Sequence, residues 1–314
     1  MMKKDQHMKY ALECEYLDSL NSVKLRYVSL PSINIQDVDI STKFCGMDFK
    51  YPFFVNAMTG GSKKADEINK RLENICTTLH IFLFTGSFSP ALKEDTFYYP
   101  KNMGVNIGAD KKLDDMQIAI EKTNAKILQV HLNPIQEFMM ENGTTNFSDW
   151  SNNIKAAIDN ISIPIIIKET GFGMSSYTIE KLLKLGVKTI DISSKGGTDF
   201  SYIEDRRRNT KREYLYEFGY TLKESLLTSI PYMDRLEVIA SGGINNPMQI
   251  VKCLAMGAKA VGVTGFILKQ LEEKSDHEII RMLRSWISEI QAIICMTDSK
   301  NLEELKGKWE DKKC

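Results

Sequence analysis

Nothing in the placement of the six cysteines builds a metal site or a disulfide framework: Cys14, Cys45, Cys76, Cys253, Cys295 and Cys314 stand far apart, with no CxxC spacing. Reduced thiols in a reducing compartment are the expectation. Histidine is as scarce, with only His7, His80, His131 and His277, which argues against structural zinc. Neither sign of charge is in excess. Lys+Arg and Asp+Glu both number 41, so no net field draws the chain to nucleic acid or to a membrane surface. Long apolar runs are missing too: residues 163–167 form the longest aliphatic stretch, far short of the roughly 20 residues a membrane helix needs. Charges run through residues 1–18 and leave no signal-peptide core. A cytoplasmic protein with no nucleic-acid or membrane partner is therefore expected.

What the chain does hold is apolar residues in short, regular blocks. Its 314 residues are 43% hydrophobic, enough for a full core. Eight β-type runs follow in order, at residues 53–56, 81–85, 103–107, 126–132, 164–168, 188–192, 237–240 and 260–264. Most are apolar throughout rather than alternating, as strands buried on both faces are. Helical patterns separate them at 64–79, 113–121, 150–158, 177–185, 221–229 and 247–256. Eight strand–helix alternations predict an α/β fold of the (β/α)8 TIM-barrel type, with a doubly wound sheet as the alternative. The barrel is expected over residues 51–274. Residues 1–50 should form an N-terminal helix and an extended segment packed on it. Residues 275–314 should add a C-terminal helix, opened by a Ser275–Glu278 capping box, and a charged tail. The charged stretch 199–220, with Arg206-Arg207-Arg208, reads as a solvated loop or as a lid over the site.

Active sites of such barrels form at the C-terminal ends of the strands. Ser241-Gly242-Gly243-Ile244 closes the seventh run, and a helix starts near Pro247; exposed N–H groups there suit a phosphate. Gln129, His131 and Asn133 alternate, so they share one side of the fourth strand. Lys168 is costly inside a barrel unless it meets an anion, an electron-rich ring or an acidic neighbour. Glu137 is either a surface carboxylate or a ligand for Mg²⁺, which binds through one or two carboxylates plus phosphate oxygens.

Several long strings agree in order with one family: NAMTGG (56–61), HLNPIQE (131–137), IKETGFGMS (167–175), GGTDFSYIED (196–205) and IASGGI (239–244). With Lys3-Lys4-Asp5-Gln6-His7 near the start, the chain resembles the type 2, FMN-dependent isopentenyl-diphosphate isomerases over residues 3 to about 307. The resemblance implies conversion of isopentenyl diphosphate to dimethylallyl diphosphate, with FMN reduced by NADPH and acting as acid and base rather than hydride donor. It implies that Ala57, Met58, Thr59, Ser87, Asn106, Lys168, Ser193, Thr198, Gly242, Gly243, Thr264 and Gly265 hold the flavin. Lys3, Lys4, His7, Ser87, Phe88, Ser89 and Gln136 would face substrate, Gln136, His131, Asn133 and Lys168 would serve catalysis, and Glu137 would bind Mg²⁺. A homo-oligomer, tetrameric or larger, is implied by the same analogy.

Some positions depart from the family pattern. Lys3 stands for an arginine, giving up a bidentate fork. Phe88-Ser89 stand where a Gln-Arg pair is frequent, which would remove one cation from the diphosphate site. Asp199 and Thr264 also differ from the usual residues. Gln136, Glu137, Lys168 and Thr198 are kept, so activity is expected, with weaker substrate affinity. Two rivals remain: an FMN-dependent oxidoreductase on the same barrel, and a flavin-binding scaffold that has lost catalysis. The first lacks an arginine pair at the strand ends, and the second has no use for Gln136-Glu137.

Overall fold

The computed structural model describes residues 3–94, 96–141, 143–209 and 211–311, with the side chains of residues 3–5 outside that description. Eight parallel strands form the barrel: β1 (Phe53–Val55), β2 (Phe84–Ser87), β3 (Gly104–Gly108), β4 (Ile127–Leu132), β5 (Ile165–Glu169), β6 (Thr189–Asp191), β7 (Glu237–Ser241) and β8 (Ala260–Val263). Each neighbours the next in chain order from β2 to β8, and β8 pairs with β1 through Val261 opposite Phe53. The circle closes at a single bridge, Val55 to Leu83, with the Val55 N–H donating to the Phe82 carbonyl at 3.0 Å. The apolar character of the runs is explained by what they touch. Ile167, Ile190 and Val261 are buried in the shell between strands and helices, whereas Ile127, Ile166, Ile239 and Ala260 fill the barrel's interior.

The interior cluster is completed from outside the barrel. A hairpin of Thr42–Phe44 and Met47–Phe49 inserts Phe44 against Phe54, with ring centroids 6.0 Å apart, and stacks Phe44 on Phe49 at 4.0 Å. Burying a phenylalanine in this way is worth roughly 1.5–3 kcal/mol. It seals the N-terminal end of the barrel, leaving the opposite mouth for a site. This hairpin falls in a region expected to be merely extended, and so does Val23–Leu25, which pairs antiparallel with Trp309–Asp311 in the expected charged tail.

The helix Asp276–Cys295 begins with the expected capping box and buries Ile279, Leu283, Trp286, Ile290 and Ile294. Trp286 stacks on Phe266 at 5.1 Å. The helix Lys3–Glu13 crosses the barrel mouth and packs on a second short helix, Phe200–Arg206. That second helix corrects the expectation of a loop at 199–220. Asp199 caps it, its carboxylate accepting from the Ser201 and Tyr202 N–H groups, and Ser201, Ile203, Glu204 and Asp205 are buried. No helix among the described residues is long and apolar enough to cross a membrane.

Candidate active site

A cavity of about 540 Å³ opens at the C-terminal ends of the strands. Its glycine-rich corner is built where the loops after β6 and β7 press backbone against backbone. Gly242 has φ +113° and Gly243 φ +76°. A Cβ on Gly242 would overlap the Ser194 carbonyl, and one on Gly243 the Gly196 carbonyl, so no larger residue fits either turn. Beside them Thr264 precedes the helix Gly265–Glu273, whose first N–H groups lack a side-chain cap. A Cβ on Gly265 would stand 3.4 Å from Thr198 Oγ1 and 3.5 Å from Tyr16 Oη. Tyr16 Oη and Ser194 Oγ, both in the cavity wall, are buried without a hydrogen-bond partner among the described residues. Burial pushes the Tyr16 hydroxyl pKa up, so it remains a donor. Unspent donors at a helix start are a receptor for an anion.

The helix at Pro247 does not take that part. Asn246 caps it through its own side chain, accepting from the Gln249 N–H at 3.0 Å, and neither Asn246 nor Pro247 lines the cavity. The helix start that faces the cavity belongs to Gly265–Glu273; Thr264 and Gly265 were assigned to the flavin by the family resemblance, but the helix they open was not among the helical patterns read from the sequence.

Lys168 on β5 is buried, its Nζ donating to Ser193 Oγ at 2.7 Å and to the Glu169 carbonyl at 2.6 Å. Burial lowers the Lys168 pKa, opposed by the charges of Asp191 and Glu169. Burial likewise raises that of Glu169, whose carboxylate accepts from the Phe172 N–H at 2.5 Å. Ser193 sits at φ +27°, a conformation costing a non-glycine residue roughly 1–3 kcal/mol. Its neighbours hold it there: Asp191 Oδ1 accepts its N–H at 3.1 Å, the Gly171 and Gly173 N–H groups donate to its carbonyl, and Lys168 donates to its hydroxyl.

The facing wall is the short helix Pro134–Met139. Asn133 Nδ2 donates to Gln136 Oε1 and to Glu137 Oε1, each at 3.1 Å, and the Thr144 N–H donates to Glu137 Oε2 at 3.0 Å. Gln136 Nε2 in turn points to Glu204 Oε1 at 3.5 Å. Glu204 also meets His7 Nε2 at 2.8 Å and Arg207 Nη1 at 2.6 Å, which ties both crossing helices to Gln136. Lys111, paired with Asp110, and Arg208 add cations to the wall. Among the described residues no three His, Cys, Asp or Glu side chains cluster to hold a metal by themselves.

The cavity therefore gathers most residues picked out from the sequence. Ala57, Met58 and Thr59 line it after β1; Ser87 and Ser89 after β2, with their hydroxyls 3.2 Å apart; and Asn106 on β3. His131, Asn133, Gln136, Glu137, Lys168, Ser193 and Thr198 follow, then Gly242, Gly243, Thr264 and Gly265, and His7 from the N-terminal helix. Phe88 is a correction: it is 2% exposed, packs tilted against Tyr99 with centroids 4.9 Å apart, and does not line the cavity. The side chains of Lys3 and Lys4 lie outside the described residues. Sequence reasoning missed Tyr16, Ser194, Glu204 and Arg207. Two of them carried a signal: Glu204 lies within the family string 196–205, and Arg207 belongs to the triple arginine of a stretch read as a solvated loop or as a lid over the site.

A family model described as FMN-dependent dehydrogenase matches residues 100–311. The chain is 40% identical to an isopentenyl-diphosphate delta-isomerase of Streptococcus mutans serotype c, covering 97% of this chain and 95% of that one. It is 37% identical to one of Streptococcus pyogenes serotype M1 over the same shares. Among solved structures, a flavocytochrome b2 variant with benzoylformate superposes with TM-score 0.71 at 18% identity, covering 97% of this chain and 82% of that one. A monotopic membrane (S)-mandelate dehydrogenase gives 0.66 at 12% identity, covering 98% of each chain. These two likenesses establish the barrel fold.

Proposed function

We infer that this chain, which belongs to the FMN-dependent dehydrogenase family and within it to the isopentenyl-diphosphate delta-isomerases, isomerises isopentenyl diphosphate to dimethylallyl diphosphate. One observation carries the reading: a single cavity joins a donor-rich glycine corner, suited to a flavin phosphate, to a wall bearing Gln136, Glu137 and several cations. The residues present fit FMN. The unpartnered Tyr16 and Ser194 hydroxyls, Thr198 and the N–H groups from Gly265 onward would take its phosphate, while the Gly242–Gly243 turn leaves room for the backbone approach. Ser193 and Lys168 would lie along its ring, and Asn106 and Ser87 across from them. Reduced FMN, once bound, supplies negative charge and an exchangeable proton beside the five-carbon tail.

The chain's own groups would do the rest. Arg207, Arg208, Lys111 and His7 would hold the diphosphate and give remote binding energy that orients the tail. Lys3 and Lys4 are assigned the same task on the family match. Glu137, already fixed by Asn133 and the Thr144 N–H, would ligate Mg²⁺ together with phosphate oxygens, the usual arrangement for that ion. Asn133 aims the Gln136 amide, which with His131 would guide the proton on the substrate side. Lys168, whose ammonium burial disfavours and the charges of Asp191 and Glu169 favour, would in its charged form stabilise an anionic ring. We further propose NADPH as reductant, a homo-oligomer of four or more chains, and a cytoplasmic setting, the last supported by the five described cysteines being free.

The test is anaerobic. Protein reconstituted with FMN and Mg²⁺, reduced by NADPH or dithionite, is given isopentenyl diphosphate in deuterated water. Dimethylallyl diphosphate carrying deuterium, with no net consumption of NADPH, is the expected product. Tight flavin binding without product, or net oxidation of reductant by the substrate, would overturn the reading.

A further inference from the structure

Beneath the cavity runs a ladder of buried side chains, three of which, Asp191, Asn56 and Gln129, have no part in the function proposed above. Asp191 Oδ2 accepts from Asn56 Nδ2 at 2.6 Å, and Asn56 Oδ1 accepts from Gln129 Nε2 at 3.1 Å. Gln129 Oε1 accepts from Asn106 Nδ2 at 2.8 Å, and Asn106 Oδ1 lies 2.8 Å from Nδ1 of His131. Asp191, Asn56, Gln129 and Asn106 are all buried. The ladder thus joins strands β6, β1, β4 and β3 and finishes on the His131 ring that lines the cavity.

Chemistry gives this ladder one direction. An ionised carboxylate only accepts, so Asn56 must turn its NH₂ toward Asp191. The same orientation is imposed a second time, because the Ala57 N–H donates to Asn56 Oδ1 at 2.9 Å. Asp191 is itself anchored, its Oδ1 accepting from Ser241 Oγ at 2.6 Å and from the Ser193 N–H at 3.1 Å. An amide offers a donor at one end and an acceptor at the other, so each rung hands the same polarity to the next. The last rung presents an acceptor, Asn106 Oδ1, to His131. That acceptor requires a hydrogen on Nδ1.

We propose that Asp191, Asn56 and Gln129 are positioning residues that hold a proton on Nδ1 of His131, so that Nε2 is the nitrogen at which this ring gains and loses its proton. In water histidine favours the opposite tautomer, with the proton on Nε2, so the barrel works against the intrinsic preference. Neutral His131 would then offer an accepting Nε2 rather than a donor, the state a base needs. The reversed tautomer would turn Asn106 around and set its carbonyl against that of Gln129, leaving a buried acceptor without a donor. The assignment concerns the ring in the protein alone; its use in the isomerisation rests on the function proposed above.

The test is a ¹⁵N titration of protein labelled at histidine, with His131 identified by the signals lost in His131→Gln. The pH is raised through the ordinary histidine value of about 6.5 until one ring nitrogen of His131 deprotonates. Loss of the proton from Nε2 is expected, with the Nδ1–H form in about tenfold excess or more, as an orphaned buried acceptor in the alternative implies. Deprotonation at Nδ1 in the unmodified protein would overturn the proposal. In Gln129→Met, which keeps the bulk and cuts the ladder, the excess should fall to a mixture or invert; an unchanged ratio in that variant would also overturn it. The titration needs no substrate, so an inactive isomerase and a wrong tautomer are failures that can be told apart.

Discussion

Changing Glu204 to glutamine asks whether charge locks the crossing helices to the cavity. The Glu204 side chain is 2% exposed and the Arg207 guanidinium that pairs with it 12% exposed. Glutamine keeps the shape and one acceptor oxygen but leaves that guanidinium without its counter-charge. Removing one partner of a buried pair costs about 3–5 kcal/mol, and the retained acceptor places this change near 3 kcal/mol. With an unfolding entropy of about 2.1 cal/mol/K per residue, a chain of 314 residues has a total of about 0.7 kcal/mol/K. The melting temperature should therefore fall by about 4–5 °C. The pH dependence follows from the sign of the shift. Burial opposes ionisation of Glu204, but the His7 contact and charge, the Arg207 charge and the Gln136 amide outweigh it, and the pKa is lowered. A depressed carboxylate contributes stability above its unfolded value, about 4.3, and loses it as pH falls through the folded value. The deficit of the variant should thus be full at pH 7 and close in acid. Thermal unfolding followed by circular dichroism reads both. A drop under about 1 °C at pH 7, or a deficit that persists unchanged in acid, refutes the reasoning.

Three further outcomes are expected. Gly242→Ala must place a side chain at φ +113° against the Ser194 backbone, a strain of about 1–3 kcal/mol or more; FMN should be lost on desalting, and retained flavin colour would contradict the glycine corner. Lys168→Met removes the ammonium from the proposed ring site, so the midpoint potential of bound FMN should fall by on the order of tens of mV, and an unchanged potential would move the lysine away from the ring. Phe88→Ala should cost about 3–5 kcal/mol of stability as a core deletion while KM for isopentenyl diphosphate stays the same. A raised KM with an unchanged melting temperature would return Phe88 to the site.

The barrel was legible because its strands are buried on both faces, and continuous apolar runs such as 164–168 have few other uses. The glycine turn after β7 was legible for a related reason, since two adjacent positive-φ positions admit little else. What stayed hidden depended on partners distant in sequence. Phe200–Arg206 is short and dense in charge, and its helix is decided by the Asp199 cap and by burial of Ile203 and Glu204 under the N-terminal helix. Glu204 reads as an ordinary surface acid until His7, nearly two hundred residues away, arrives beside it. Asn56 and Gln129 look like polar interruptions of apolar strands; only the closed barrel brings them within hydrogen-bond distance. Phe88 erred the other way: the family resemblance put a substrate-facing residue at this position, but the aromatic ring that stands here turns into the core against Tyr99.

The bridge between Val55 and Leu83 bears on the order in which the barrel comes together and apart. Neighbouring strands from β2 to β8 pair with partners nearby in sequence, so their contacts close small loops. The β1–β8 pair, in contrast, joins Phe53 to Val261 and closes a loop spanning most of the chain. Loop entropy makes such contacts late in folding. On the other flank, one bridge is all that holds β1 to β2. Amide hydrogens of β1 should therefore exchange with solvent sooner than those of β4 and β5, through openings that leave the rest of the sheet intact. Asn56 and Ala57 follow directly on β1, so the same breathing would loosen the cavity floor first.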